Sequence, residues 1–222
     1  MLKRSIFIGI LFVYIVMLTG CAASRTDIVG LYGGEQKFTK KQRVKALFDF
    51  FYYTKQTGRD AISKSRSYSG VSGFNDIFKE SIKELTNISE FETFYNLSDH
   101  IDDPEIRKQK EDKIERSDYV IKLEFLQENS FSKHVLGAIV SICSFDLIPI
   151  GYTWDYTFTA TIIKKGEGII GKYSRQASVT NWFQIALIVL YPFHPEEAKT
   201  EQVYLESLTN LFKQIEDENV LN

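Results

Sequence analysis

Few residues in this chain have the type and spacing to do chemistry. Gly166-Glu-Gly-Ile-Ile-Gly171-Lys172-Tyr173 is one residue from the phosphate-cradling pattern G-x-x-x-x-G-K-[ST], whose hydroxyl holds magnesium. Tyr173 stands where that hydroxyl belongs, Ser174 comes one position late, and the residues that follow alternate like a strand where the pattern needs a helix. The segment therefore predicts a hairpin turn. His100, His134 and His194 are widely separated, without the short spacing of zinc ligands. Cys143 lies in an apolar run where a thiol is ordinarily inert packing, so His134, Cys143 and Asp146 form only a conceivable ligand set. Asp102, Asp103 and Glu105 could form a carboxylate pair or a cation site, but Pro104 directly after Asp103 favours a capped helix start. The chain has no Gly-x-Ser-x-Gly and no local Ser/His/Asp signature. No catalytic residue, cofactor or metal is predicted, and the expectation is a non-enzymatic protein. The remote alternative, an exported hydrolase, requires a histidine and an acid brought together by the fold.

The remaining reactive residue is Cys21. Lys3 and Arg4 are followed by an uncharged run from Ile6 to Leu18, which ends in Leu18-Thr19-Gly20-Cys21. A spanning helix needs about 20 apolar residues and a signal-peptide core only about 7 to 15, so the run is an export signal. Leu-Thr-Gly-Cys after such a core resembles the lipobox of bacterial lipoprotein precursors. The resemblance implies cleavage between Gly20 and Cys21, a diacylglyceryl group on the Cys21 sulfur, acylation (palmitate) of the new amino terminus, and membrane lipid as a partner. Ala22 and Ala23 follow, with no Asp after the cysteine. That resembles cargo for the outer membrane, facing the periplasm, more than inner-membrane cargo.

The elements behind this anchor predict one domain. Residues 1–20 carry Lys3, Arg4 and no acid, which leaves 25 basic against 29 acidic residues, a net charge near −4. That balance gives no basic footprint for nucleic acid. With Cys21 lipidated, only Cys143 is left, and an intrachain disulfide is excluded. The division expected is a signal peptide over 1–20, a lipid-anchored tether over 21–40 and a single α+β domain over 41–222.

Within that domain, Val44, Ala46, Phe48, Phe50 and Tyr52 alternate as a strand, although Leu47 and Phe51 on the opposite face keep helix as a competitor. A polar loop over 54–72 follows. Phe74, Ile77, Phe78, Ile82 and Leu85 then make one helical stripe, with Ser72 or Asn75 as its cap. A short strand over 91–97 and a charged helix or excursion from Asp103 to Arg116 come next. Strands are predicted over 118–125, 152–162 and 169–179, the last two joined at Lys164–Gly168. A final helix opens at Pro195, with Tyr204, Leu208, Leu211, Phe212 and Ile215 buried. The order β-α-β-α-β-β-β-α predicts a single mixed sheet with helices packed on one face. That layout, with Asp118-Tyr119-Val120-Ile121 as a central strand, is similar to the small periplasmic domains of curli-secretion-type and penicillin-binding-protein-activator lipoproteins, and to the amino-terminal domain of TolB.

Two uncharged stretches, 135–150 (broken only by Asp146) and 177–193, are too short to span a membrane and are punctuated by Pro149 and Pro192. They are either core or an apolar pair that contacts membrane or a partner, with Val135, Leu136, Ile139, Trp154, Trp182, Ile185, Leu187, Leu190 and Tyr191 as the candidate contacts. The function expected is binding or scaffolding of another cell-envelope component. The alternative is a subunit of a membrane-associated oligomer or secretion assembly that uses both stretches.

Overall fold

In the computed structural model, residues 23–34, 42–58, 65–66, 71–96, 103–145, 147–184 and 195–222 are described. Seven strands form one mixed sheet: β1 (Ala23–Arg25), β2 (Val44–Thr57), β3 (Ser65–Arg66), β4 (Ile88–Tyr95), β5 (Tyr119–Ser130), β6 (Ile150–Lys164) and β7 (Gly168–Phe183). The path across it is β1-β7-β6-β5-β2-β3, with β4 also paired to β2. The helices among the described residues are α1 (Phe74–Ser81), α2 (Pro104–Arg116), α3 (Phe131–Cys143) and α4 (Glu196–Asp217), with a 3-10 turn over Ile82–Glu84. The α+β class and the single mixed sheet are as expected.

Alternation sets which residues meet. β2 runs parallel to both β4 and β5 and is covered on both faces, which is why its sequence lacks a clean polar side. Phe48 and Phe50 point toward α1 and α4, where the Phe48 and Phe50 rings meet Phe78 edge-on at 4.9 and 5.2 Å, and Phe158 meets Tyr204 at 4.8 Å. The predicted stripe of α4 is entirely buried in this cluster. Aromatic contacts of this kind add about 0.5–1.5 kcal/mol each beyond the area they bury.

Helices occupy both sides of the sheet. The charged α2 crosses the other face of β2, where Lys110 Nζ lies 2.8 Å from the buried carboxylate of Asp49 and 5.0 Å above the Phe51 ring. The long stem of a lysine can bury along an apolar surface while its ammonium reaches a partner, so a helix with almost no apolar residues still docks. Asp103 caps α2 by accepting from the Glu105 and Ile106 N–H groups, as predicted. Gly73, with a positive φ, starts α1 in place of the expected Ser72 or Asn75 side-chain cap.

The tether expected over 21–40 needs correction in its described part. Ala23–Arg25 pair antiparallel with Val179–Asn181, and Val29 bridges Gln176. Arg25 makes two hydrogen bonds to the Glu206 carboxylate, at 2.7 and 2.8 Å. Asn210 binds both the N–H and the C=O of Tyr32, and its side-chain oxygen also accepts from the buried Arg175. This segment docks through backbone groups and single polar contacts, and such docking leaves no hydrophobic period to read.

Candidate functional site

Among the described residues, the chemistry-bearing side chains singled out in the sequence do not converge. Among the described residues no group of three His, Cys, Asp or Glu side chains could hold a metal. Gly166 and Gly168 take positive φ in the β6–β7 turn, and Lys172 sits within β7 opposite Thr161, so the glycine-lysine motif is a hairpin. His134 lies between aromatic rings, 5.2 Å from Tyr152 and 5.6 Å from Trp154, while Cys143 is exposed at the far end of the same helix. His100, Asp102, Asp146 and His194 lie outside the described residues, as do the lipidation and cleavage residues Gly20 and Cys21.

What stands out is the end of the sheet where β6 begins and β7 finishes. The face that α3 turns to the sheet is made of Phe131 and His134 at its start and the small Gly137, Ala138 and Ser141 after them, and the other large apolar residues point away. Gly137 permits the approach, because a Cβ there would stand 2.8 Å from the Ile150 side chain. No residue of α3 is fully buried. Leu136 is 63% exposed, Ile142 75%, Phe145 82% and Leu147 67%. A surface helix ordinarily shows the reverse arrangement, with apolar residues inward and polar residues outward. Phe145 also holds a left-handed φ of 50° just past the helix end, a position that glycine usually fills. Of the nearest sheet residues, Phe183, opposite Ile150 and beside Tyr152, continues the surface, whereas Trp182 is exposed at the same end on the other face of the sheet, the side of Gly151.

This end is also where the chain enters the domain. Ala23 pairs with Asn181, Ser24 Oγ accepts a hydrogen bond from Trp182 Nε1 at 3.1 Å, and Ala23 itself is completely buried. Cys21 is two positions upstream, and covalent geometry keeps it within about 7 Å of Ala23 whatever its conformation. The second apolar stretch departs from the same place. Its first part, Ala177–Phe183, is the end of β7, and Gln184 donates to the Leu147 carbonyl at 3.2 Å.

Of the candidate contacts, Val135, Leu136 and Ile139 are on this surface, and Trp182 is exposed at the same end on the other face of the sheet. Trp154 is partly buried against the core and lies beneath α3 beside His134, which makes it a packing residue. Ile185, Leu187, Leu190 and Tyr191 fall outside the described residues. Val140, Ile142, Phe145, Leu147, Ile148 and Phe183 also belong to the surface, beyond the contacts that the sequence identifies one by one. The available signal was the absence of charge, which marks a stretch without saying which of its side chains turn outward.

Among the described residues, no helix is long and apolar enough to cross a membrane. No protein-family model matches the chain, and no curated protein matches it. Solved structures similar over most of the chain include a point variant of the PelC dodecamer from Paraburkholderia phytofirmans, at 8% identity and a TM-score of 0.34, covering 87% of this chain and 97% of that one. A second PelC dodecamer from the same organism has 9% identity and a TM-score of 0.31, covering 87% and 96%. Superpositions this loose carry no argument about activity or assembly, and no family is assigned.

Proposed function

We propose that this chain is a lipid-anchored, non-enzymatic protein of the bacterial cell envelope that holds a rigid docking domain against a membrane. The observation that supports it most directly is the burial of Ala23, only two residues after Cys21, in a strand at the sheet edge. An anchor on Cys21 would leave almost no slack between lipid and fold, so the domain would be held at the bilayer surface. A single acyl chain binds only marginally, and two or three chains are needed for lasting attachment. The partner is another envelope component. The residues after Cys21 favour the periplasmic face of the outer membrane.

Replacing Cys21 with serine tests this reading. The expected outcome is an unlipidated, largely uncleaved precursor that no longer incorporates labelled palmitate. Label on the serine variant would refute the assignment. Crosslinking in intact cells should recover a partner protein, and recovery of lipid alone would count against the scaffolding role.

A second reading, a subunit of a membrane-associated oligomer, is favoured by one observation. Among the described strands β4 pairs only with β2, and Phe91 is exposed on it. An open strand edge is a template for another chain. A monomer by sedimentation in detergent would end that reading.

A further inference from the structure

We propose that the cap formed by α3 and the end of β7 is an interfacial membrane-binding surface, seated in the headgroup–acyl boundary of the same bilayer that holds the lipid on Cys21. The proposal rests on the lipid-anchor reading for its orientation and on independent geometry for the surface itself.

Three observations support a bilayer as the occupant. First, the cap and the anchor point share one end of the sheet, since Trp182 donates to Ser24 and Cys21 lies within about 7 Å of Ala23. A lipid on Cys21 would bring the cap to the membrane surface with it. Second, the cap has the chemistry of that boundary. Between Phe131 and Ile150 the only Lys, Arg, Asp or Glu residues are Lys133 and Asp146, and Phe183, packed beside Tyr152, carries the apolar face onto β7. Third, the dimensions fit lying on a membrane and exclude crossing it. Thirteen residues of α3 extend about 20 Å at 1.5 Å per residue, against a hydrocarbon core of about 30 Å. The construction of α3 agrees, because small residues hold it to β6 and leave Leu136, Ile139 and Ile142 facing outward together with Phe145. A helix that was to be covered by its own domain would turn those side chains inward.

Cys143 supplies the probe, because it is exposed at the end of α3 and is the only thiol once Cys21 is lipidated. The full chain is produced in bacteria, its mass measured, Cys143 labelled with an environment-sensitive nitrobenzoxadiazole, and the protein reconstituted in vesicles of phosphatidylethanolamine and phosphatidylglycerol. The expected result is blue-shifted emission that is quenched by spin labels on the acyl chains and shielded from iodide in the water. Leu136→Glu with Ile139→Glu should return the probe to water-like emission. A chain that begins at Ala22, free of both the signal and the lipid and labelled the same way, should bind vesicles weakly and reversibly, and the two glutamates should lower that binding by at least about tenfold, given the cost of exposing two large apolar side chains.

Should the glutamate pair lower the thermal midpoint, Phe145→Glu at the outer tip serves in its place. An anchored protein whose probe is quenched by iodide overturns the proposal. So does a probe shielded from both quenchers, which would show that residues 185–193 or a second copy cover the cap. A native Cys21 without lipid, combined with vesicle binding through α3, would overturn the anchor and leave this surface standing.

Discussion

The aromatic cluster beneath α4 and the cap built on α3 draw on the same kinds of residue and are assembled in opposite senses. Under α4, Phe212, Leu208 and Leu211 drive into the sheet and are fully buried. On α3, Gly137, Ala138 and Ser141 face the sheet, while Leu136, Ile139 and Ile142 face out. The first arrangement holds the domain together, and the second leaves apolar surface that no described part of the domain covers. The helix with the smaller share of apolar residues thus contributes to stability, and the more apolar one, α3, leaves its large side chains uncovered. Which side carries the small residues decides between them.

That contrast should appear first in stability. Phe212→Ala empties a site ringed by Phe48 and Phe78 and should lower the unfolding free energy by about 3–5 kcal/mol in chemical denaturation. Ile142→Ala, of comparable apolar loss, should stay within about 0.5 kcal/mol in the same assay. Equal losses would dissolve the distinction.

Alkaline titration should register the core and spare the cap. Burial pushes the hydroxyls of Tyr52, Tyr156 and Tyr204 above the ordinary value of 10.0. Their contribution is therefore complete below pH 10 and is lost as pH rises from there toward their folded values, at up to about 1.4 kcal/mol per pH unit for each. Stability should be level through neutral pH and decline above about 10, and a Tyr204→Phe chain should decline less steeply.

On the opposite face of β2, Lys110→Met leaves the Asp49 carboxylate buried with Asn96 as its remaining side-chain partner. The expected cost is about 1–3 kcal/mol, the penalty for an incompletely satisfied buried polar group. Asp49→Asn in the Lys110→Met background should recover part of it.

The smallest change is local. Gly137→Val would collide with Ile150 and lift α3 from β6, and because no residue of α3 is fully buried the helix can move away at a cost below about 1 kcal/mol. The signature would be altered fluorescence of Trp154, which α3 covers, with little change in the melting midpoint. A loss as large as that of Phe212→Ala would place α3 in the core.

Much of this fold is legible in the sequence because the central elements keep a strict period. Tyr156, Phe158, Ala160 and Ile162 alternate on β6 and are all buried, and the α4 stripe is buried throughout. β2 was the ambiguous strand, since helices cover both of its faces and remove the polar alternation. The segment before Tyr32 was hidden for a different reason. Its anchors are Arg25 to Glu206 and Tyr32 to Asn210, more than 170 residues apart, and no local pattern announces such pairs. For the cap, lack of charge located the stretch but could not say that α3 would turn its small side inward. That choice depends on the approach of Gly137 to Ile150, which only the folded backbone reveals.

The central claim is that the α3 end of the domain faces the bilayer. Tryptophan quenching reads it without an added label. In a Trp154→Phe chain the emission comes from Trp182 alone, beside Ser24 at the entry of the anchor. In vesicles whose acyl chains carry bromine close to the headgroups, the lipidated protein should lose much of that emission. Emission equal to that in unbrominated vesicles would contradict the account.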